Sequence, residues 1–225
     1  MTVSAMKDQP PDFDHIARAY QWLEYCTLGP LLERTRDSHL ALMRRCSQAL
    51  ILGDGDGRFT ARLLAGSSRI RIEAVDLSRV MLNLLRTRCD SDREQLDTFR
   101  QDARTYTPNC QPDLVVTHFF LDCLTQSEVD ALVTRLTPQL TPSALWVVSD
   151  FRIPDGVLRW PAWIYIRVLY FAFRVLTGLR TNRLPDHSAS LKRCGFEKVA
   201  SQRRMAGMLT SEVWRRNELP SAPSQ

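Results

Sequence analysis

Three glycines at alternate positions, Gly53, Gly55 and Gly57, stand where the apolar run Gln48-Ala49-Leu50-Ile51-Leu52 gives way to a helical pattern. Glycine suits that place because the backbone must bend sharply and let a ligand approach with no Cβ in the way. Tight turns use glycine as well, so the triplet gains meaning only from its context. Nineteen residues beyond Gly57, Asp76 ends a second strand-like run, Glu73-Ala74-Val75-Asp76. An acid at that tip accepts hydrogen bonds from both hydroxyls of a ribose, or serves as a helix N-cap. Asp54 and Asp56, between the glycines, are either turn-forming aspartates or partners for a positively charged ligand.

Proton-transfer candidates come later in the chain. His118 and Asp122 lie in Thr117-His118-Phe119-Phe120-Leu121-Asp122-Cys123, after a fourth strand-like run. His118 can take a proton near neutral pH, and Asp122 can accept one or orient the histidine. A lone histidine also serves as a structural hydrogen-bonding group. His187 is a second candidate, or a turn or helix-cap element.

The elements that must position these groups alternate. Strand patterns at 48–52, 70–75, 98–100, 113–117 and 144–149 are interleaved with helical patterns at 58–65, 78–89 and 126–136. That spacing predicts βαβ units and a parallel sheet, which binds ligands at the carboxyl ends of its strands. Upstream, one or two amphipathic helices are expected from Phe13 to about Leu32, and another over 36–45. Downstream, the phrase ASLKRCGFEKV reads as a helix, followed by strand-like pieces ending in MLTSEVWRR that would close the sheet as an antiparallel hairpin.

With 225 residues, 44% hydrophobic and 24% charged, the chain matches one ordinary globular domain rather than a disordered one. The formal charge of +5 invites an anionic partner, but the basic residues are scattered. No dedicated nucleic-acid groove is expected. The six cysteines have neither C-x-x-C nor zinc spacing, so no disulfide framework and no metal site are expected. The N-terminal segment has no apolar signal region, and a reducing cytoplasm is the expected compartment. The most apolar stretch, Trp160 to Leu179, is interrupted by Arg167 and Arg174 and reads as an amphipathic helix rather than a membrane span. The expected layout is a flexible arm at 1–12, a single domain at 13–217 with a helical cap at 13–46 and an apolar helical insertion at 157–180, and a disordered tail at 218–225. The insertion is either a packed helix or a substrate-covering or membrane-surface element, so peripheral membrane contact through 157–180 is one expectation.

In order and spacing, ALILGDGDGRF, AVDLSRVML, FRQDA and PDLVVTHFFLDCL resemble the four cofactor motifs of class I S-adenosylmethionine-dependent methyltransferases. The resemblance spans Ala49 to Leu124 and implies a Rossmann-like α/β fold, a mostly parallel seven-stranded sheet with helices on both faces. It implies S-adenosylmethionine as cofactor, with Gly53, Gly55 and Gly57 along its methionine and ribose, Asp76 on the ribose hydroxyls, Leu77 and Met81 near the base, and Asp102 with Ala103 at the adenine. It also implies that His118 and its neighbours lie beside the transferred methyl. Many members carry an acid two places before the first glycine, where this chain has Ile51; Asp54 or Asp56 then takes over the contact to the ammonium. The G-x-G-x-G spacing with intervening acids suits a cationic cofactor better than a pyrophosphate.

Phe13-Asp14-His15-Ile16-Ala17-Arg18-Ala19-Tyr20 and Val148-Ser149-Asp150-Phe151 loosely resemble the ubiquinone/menaquinone branch, in which Tyr20 would fold over the cofactor. The activity implied is methyl transfer to a small apolar or aromatic acceptor. A non-catalytic nucleoside-binding module of the same fold and an aminopropyl transferase are the alternatives. Nucleic-acid methylation is disfavoured because no N-P-P-Y type motif follows the fourth strand.

Overall fold

The computed structural model describes residues 29–154, 160 and 184–217. The arm at 1–12, Tyr20, most of the helical cap, nearly all of the insertion at 157–180 and the tail at 218–225 lie outside the described residues.

Seven strands form one sheet in the order β3-β2-β1-β4-β5-β7-β6. They are β1 (Gln48–Leu52), β2 (Arg71–Asp76), β3 (Leu96–Arg100), β4 (Leu114–His118), β5 (Leu145–Phe151), β6 (Phe196–Arg204) and β7 (Leu209–Arg216). The first five run parallel, while β7 is antiparallel to both β5 and β6. The described helices are α1 (Gly29–Arg36), the short α2 (Leu40–Met43), α3 (Arg58–Leu64), α4 (Arg79–Arg88), α5 (Gln126–Leu136) and α6 (His187–Arg193). The parallel sheet and its terminal antiparallel hairpin are those expected from the alternation of patterns.

The central strands read as unbroken apolar runs because both of their faces are covered. On one face Leu50, Leu52, Val115, Trp146 and Trp214 pack with Val129, Leu132, Val133 and Leu136 of α5 and Leu191 of α6. On the other, Ala49, Ile51, Val116 and Val147 pack with Met43, Phe59, Leu63 and Leu85. The buried residues of α5 recur at helical spacing, and its start is fixed by a capping box in which Thr125 and Glu128 satisfy each other's backbone N–H groups.

Two expectations change. The helix over 36–45 is instead a 3-10 turn at Asp37–His39 followed by α2. The helix in ASLKRCGFEKV stops at Arg193, because Gly195 takes φ +82° and turns the chain so that Phe196 to Val199 begin β6. A third packing centre lies at the carboxyl end of the sheet, where Leu32 of α1 meets Phe119, Phe151 and Leu209. Among the described residues no helix is long and apolar enough to cross a membrane.

Candidate active site

The glycine loop sits at the carboxyl end of β1. Gly53, Gly55 and Gly57 all hold positive φ, at +70°, +67° and +78°, the region where side chains other than glycine are strained. Two of them are pinned by neighbours. A Cβ on Gly53 would come within 2.6 Å of the Phe120 ring, and one on Gly57 within 2.7 to 2.9 Å of Leu85, backbone included. Gly55 differs, because a Cβ there would meet nothing within 4 Å among the described residues. The loop therefore presents bare backbone to open space at its middle glycine.

Asp76 borders that space. Its carboxylate accepts the Ser78 N–H at 2.8 Å and further backbone hydrogen bonds from Gly55 and Leu77. The N-cap of α4 is Ser78, whose hydroxyl accepts from the Met81 N–H at 3.2 Å. Capping is thus done by another residue, and Asp76 instead ties the tip of β2 to the glycine loop. Burial, followed by the charge of Asp54, raises its pKa to about 6, against backbone hydrogen bonds that pull it down. Met81 is buried and Leu77 half-buried beside it.

The acids between the glycines are both engaged. Asp54 Oδ2 accepts from the Thr60 N–H at 3.0 Å and the Thr60 hydroxyl at 2.6 Å, fastening the loop to α3. Burial raises its pKa to about 6. Asp56 is bridged to Arg58 at 2.9 Å and to Arg88 at 3.0 Å. A contact from Asp56 to a ligand ammonium would have to compete with two guanidinium groups.

Asp102 is likewise committed. Arg104 donates to both of its carboxylate oxygens and also engages Glu128. Partial burial pushes the Asp102 carboxyl up, but the Arg104 hydrogen bonds and charge outweigh it and hold the group below the usual range. Ala103 is buried beside it.

His118 and Asp122 are not brought together. The His118 ring packs edge-on against Phe59, with centroids 4.5 Å apart, and neither ring nitrogen has a hydrogen-bond partner among the described residues. Burial, then the positive charges of Arg36, His39 and Arg62, hold it neutral, well below the ordinary histidine pKa. Its surroundings are the α1 and α3 side of the sheet. The expectation that Asp122 orients His118 is corrected accordingly: Asp122 lies against Cys123 and Asp150.

His187 is engaged elsewhere. It meets the buried Glu212 at 3.3 Å, and Glu212 also accepts from Lys198 at 2.9 Å and from the Trp214 indole at 3.1 Å. That network fastens α6 to β6 and β7.

Sequence reasoning passed over two further residues. Arg104 follows the third motif by one position, and nothing in its type announces that it folds back on Asp102. Asp150 lies in the apolar-flanked run of β5, but the meeting of its carboxyl with Asp122 depends on the adjacency of β4 and β5.

Residues 49–143 match the model of a methyltransferase domain. No curated protein sequence matches the chain. Among solved structures, the chain is similar to an O-methyltransferase family protein from Burkholderia thailandensis, with TM-score 0.68, 15% identity, and coverage of 90% of this chain and 60% of that one. A second similar structure is the N,N-8-amino-8-demethyl-D-riboflavin dimethyltransferase of Streptomyces davawensis, with TM-score 0.65, 17% identity and coverage of 94% and 63%. A third, the N-methyltransferase NodS from Bradyrhizobium japonicum, gives TM-score 0.57 and 14% identity, with 83% of this chain and 97% of that one covered. The chain thus spans about three fifths of the first two and nearly all of the third. Residues 49–143 thus match a methyltransferase domain, and the chain has the fold of the methyltransferase structures to which it is similar.

Proposed function

We propose that the protein binds S-adenosylmethionine at the glycine loop and transfers its methyl group to a small acceptor of apolar or aromatic character. The observation that carries this reading is the open space over Gly55, bordered by the Asp76 carboxylate. A ribose bearing two hydroxyls fits such an acid at the tip of β2, and bare backbone at φ +67° leaves room for the chain that joins ribose to amino acid.

When bound, the cofactor supplies a methyl group made electrophilic by a sulfonium. The chain's own residues have the task of holding and excluding. Asp76 orients the ribose through its hydroxyls. Asp54 fixes the loop to α3 through Thr60, so that the backbone near Gly55 holds still. Phe119, Phe120 and Phe151, at the ends of β4 and β5, give the acceptor side an aromatic wall that displaces water. The Phe119 and Phe151 rings meet at a tilt of 55°, with centroids 5.2 Å apart, and the Arg36 guanidinium lies 5.2 Å over the Phe119 ring. An aromatic acceptor is supported by that lining and by the flavin derivative named for the Streptomyces structure.

Calorimetric titration with S-adenosylmethionine and S-adenosylhomocysteine tests the reading. Wild-type protein should bind both saturably, and Asp76→Ala should weaken both by about 10-fold or more, since two charge-assisted hydrogen bonds are lost. A folded wild-type protein that binds neither ligand would sink the proposal.

A further inference from the structure

A loop built on Gly53, Gly55 and Gly57 does not hold itself, because glycine has more conformational freedom to lose on ordering than any other residue. Asp54 on Thr60 fixes one part of it. Asp56 is gripped by Arg88, from the last turn of α4. Arg88 Nε donates to the Asp56 carbonyl at 3.0 Å, and its Nη2 donates to Asp56 Oδ2 at 3.0 Å. One guanidinium thus holds both the backbone and the side chain of the residue between Gly55 and Gly57.

The same carboxylate carries a second link. Arg58, the first residue of α3, donates from Nε to Asp56 Oδ2 at 2.9 Å and from Nη1 to Glu33 Oε1 at 2.9 Å. Glu33 belongs to α1, so the cap helix reaches the loop through Arg58. Arg62, one turn farther along α3, adds to that junction, 2.9 Å from Asp37 and 3.8 Å from Glu33. The charges alternate in sign from α1 through α3 and the loop to α4: Glu33, Arg58, Asp56, Arg88. Exposure decides what such a relay can do. The Arg58 and Arg88 side chains are 30% and 41% exposed and Asp56 is 11% exposed, and exposed ion pairs add little to global stability. Their effect is instead to select among loop conformations. When only a fraction of molecules hold the loop in its binding shape, affinity falls by that fraction.

We propose that Arg58 and Arg88 are positioning residues for cofactor binding, acting through Asp56 on the backbone beside Gly55, and that Glu33 carries the seating of α1 into the same loop. This inference rests on the cofactor reading above and deepens it: affinity is set partly by charges that do not touch the cofactor. The rival reading of the geometry is that the arginines only mask Asp56, which would otherwise meet the ligand's ammonium. The two readings differ in sign. If the arginines hold the loop, removing one weakens binding; if they mask the acid, removing one strengthens it.

The experiment compares the wild-type chain with Arg88→Met, Arg88→Lys, Arg58→Met, Glu33→Gln and the double variant Glu33→Gln/Arg88→Met. Each is titrated with S-adenosylhomocysteine and with methylthioadenosine, which lacks the amino-acid end, and amide hydrogen exchange is followed without ligand. Arg88→Met should weaken S-adenosylhomocysteine about fivefold, and Arg58→Met and Glu33→Gln about twofold each. Arg88→Lys should resemble Arg88→Met, because an ammonium lacks the fork that spans carbonyl and carboxylate; it also carries the test if the methionine variant fails to fold. Glu33 and Arg88 are joined, among the described residues, through Arg58 and Asp56. Their double variant should therefore lose about fivefold rather than the roughly tenfold of independent sites. Amides of residues 54–58 should exchange faster in every variant, while those of β1 and β4 keep the wild-type rate. Tighter S-adenosylhomocysteine binding with methylthioadenosine unchanged would establish masking and overturn the proposal, as would independent effects in the double variant or unaltered loop exchange. A wild type that binds neither ligand would instead strike the cofactor reading, while loop exchange would still report on the relay.

Discussion

The two halves of the sheet's carboxyl end treat their polar groups in opposite ways. On the β1–β2 side the acids named above all have protein partners: Asp54 on Thr60, Asp56 on Arg58 and Arg88, Asp76 on backbone N–H groups, Asp102 on Arg104. On the β4–β5 side, both nitrogens of His118 are buried with no partner among the described residues, and the buried Asp150 carboxyl has only the Asp122 carboxyl for a side-chain neighbour there. Buried polar atoms without partners are uncommon in folded proteins, and they gather where a ligand or a proton completes the set. The first half is held in shape by its own contacts, whereas the second has hydrogen-bonding capacity to spare.

The largest expected effect breaks the rigid half. Gly57→Ala places a Cβ against the Leu85 backbone at a φ of +78°, and should destabilise the fold by about 3 kcal/mol or more, from overpacking together with left-handed strain. Gly55→Ala meets no atom, so it should cost only about 1 kcal/mol in stability while still weakening S-adenosylmethionine binding. Parallel urea melts and cofactor titrations of the two variants separate packing from site. If both variants unfold alike, Gly55 does not face open space.

A second test lies within the other half, where the two buried acids titrate in opposite senses. Burial pushes Glu212 up, but hydrogen bonds and charge from His187 and Lys198 outweigh it and hold the group at about 2, whereas Asp150 is held high. A depressed acid contributes stability that is present above its ordinary pKa of 4.5 and is lost as the pH falls through about 2. Glu212→Gln should therefore cost about 3 kcal/mol at neutral pH and flatten the stability curve between about pH 5 and 2. Denaturant midpoints across that range check it; an unchanged acid limb would count against the network.

The smallest effect concerns Arg104. Arg104→Met frees Asp102 from its half-exposed partner. The change in stability should stay within about 1 kcal/mol, and S-adenosylmethionine should bind a few-fold more tightly if Asp102 is then free to accept from the adenine amino group. Weaker binding would mean that Arg104 itself serves the ligand.

The parts legible in the sequence are those governed by local pattern. The apolar runs of β1, β4 and β5 announce central strands because both faces of such strands are covered, and Gly53, Gly55 and Gly57 stand out because few other residues tolerate their backbone angles. The end of α6 is hidden because KRCGFEKV is permissive of helix until Gly195 turns left-handed. Partner choice is not legible at all. That Asp102 meets Arg104 depends on a local turn that the residue types do not announce, and that His118 turns toward Phe59 and Asp150 meets Asp122 follows from which strands and turns become neighbours, information carried by residues far apart in the chain.

The strand order has a kinetic corollary. β7, synthesised last of the seven, lies between β5 and β6 rather than at the edge. Among the described residues β6 pairs with β7 alone, so until Leu209–Arg216 is available it has no described strand to join, and neither does the open flank of β5. A chain still emerging from the ribosome would expose two unpaired strand edges until Leu209–Arg216 is available, then close both in one event. Closure of the sheet should thus be a late, cooperative step, and a substitution that slows β7 should leave a sticky intermediate rather than a smaller folded protein.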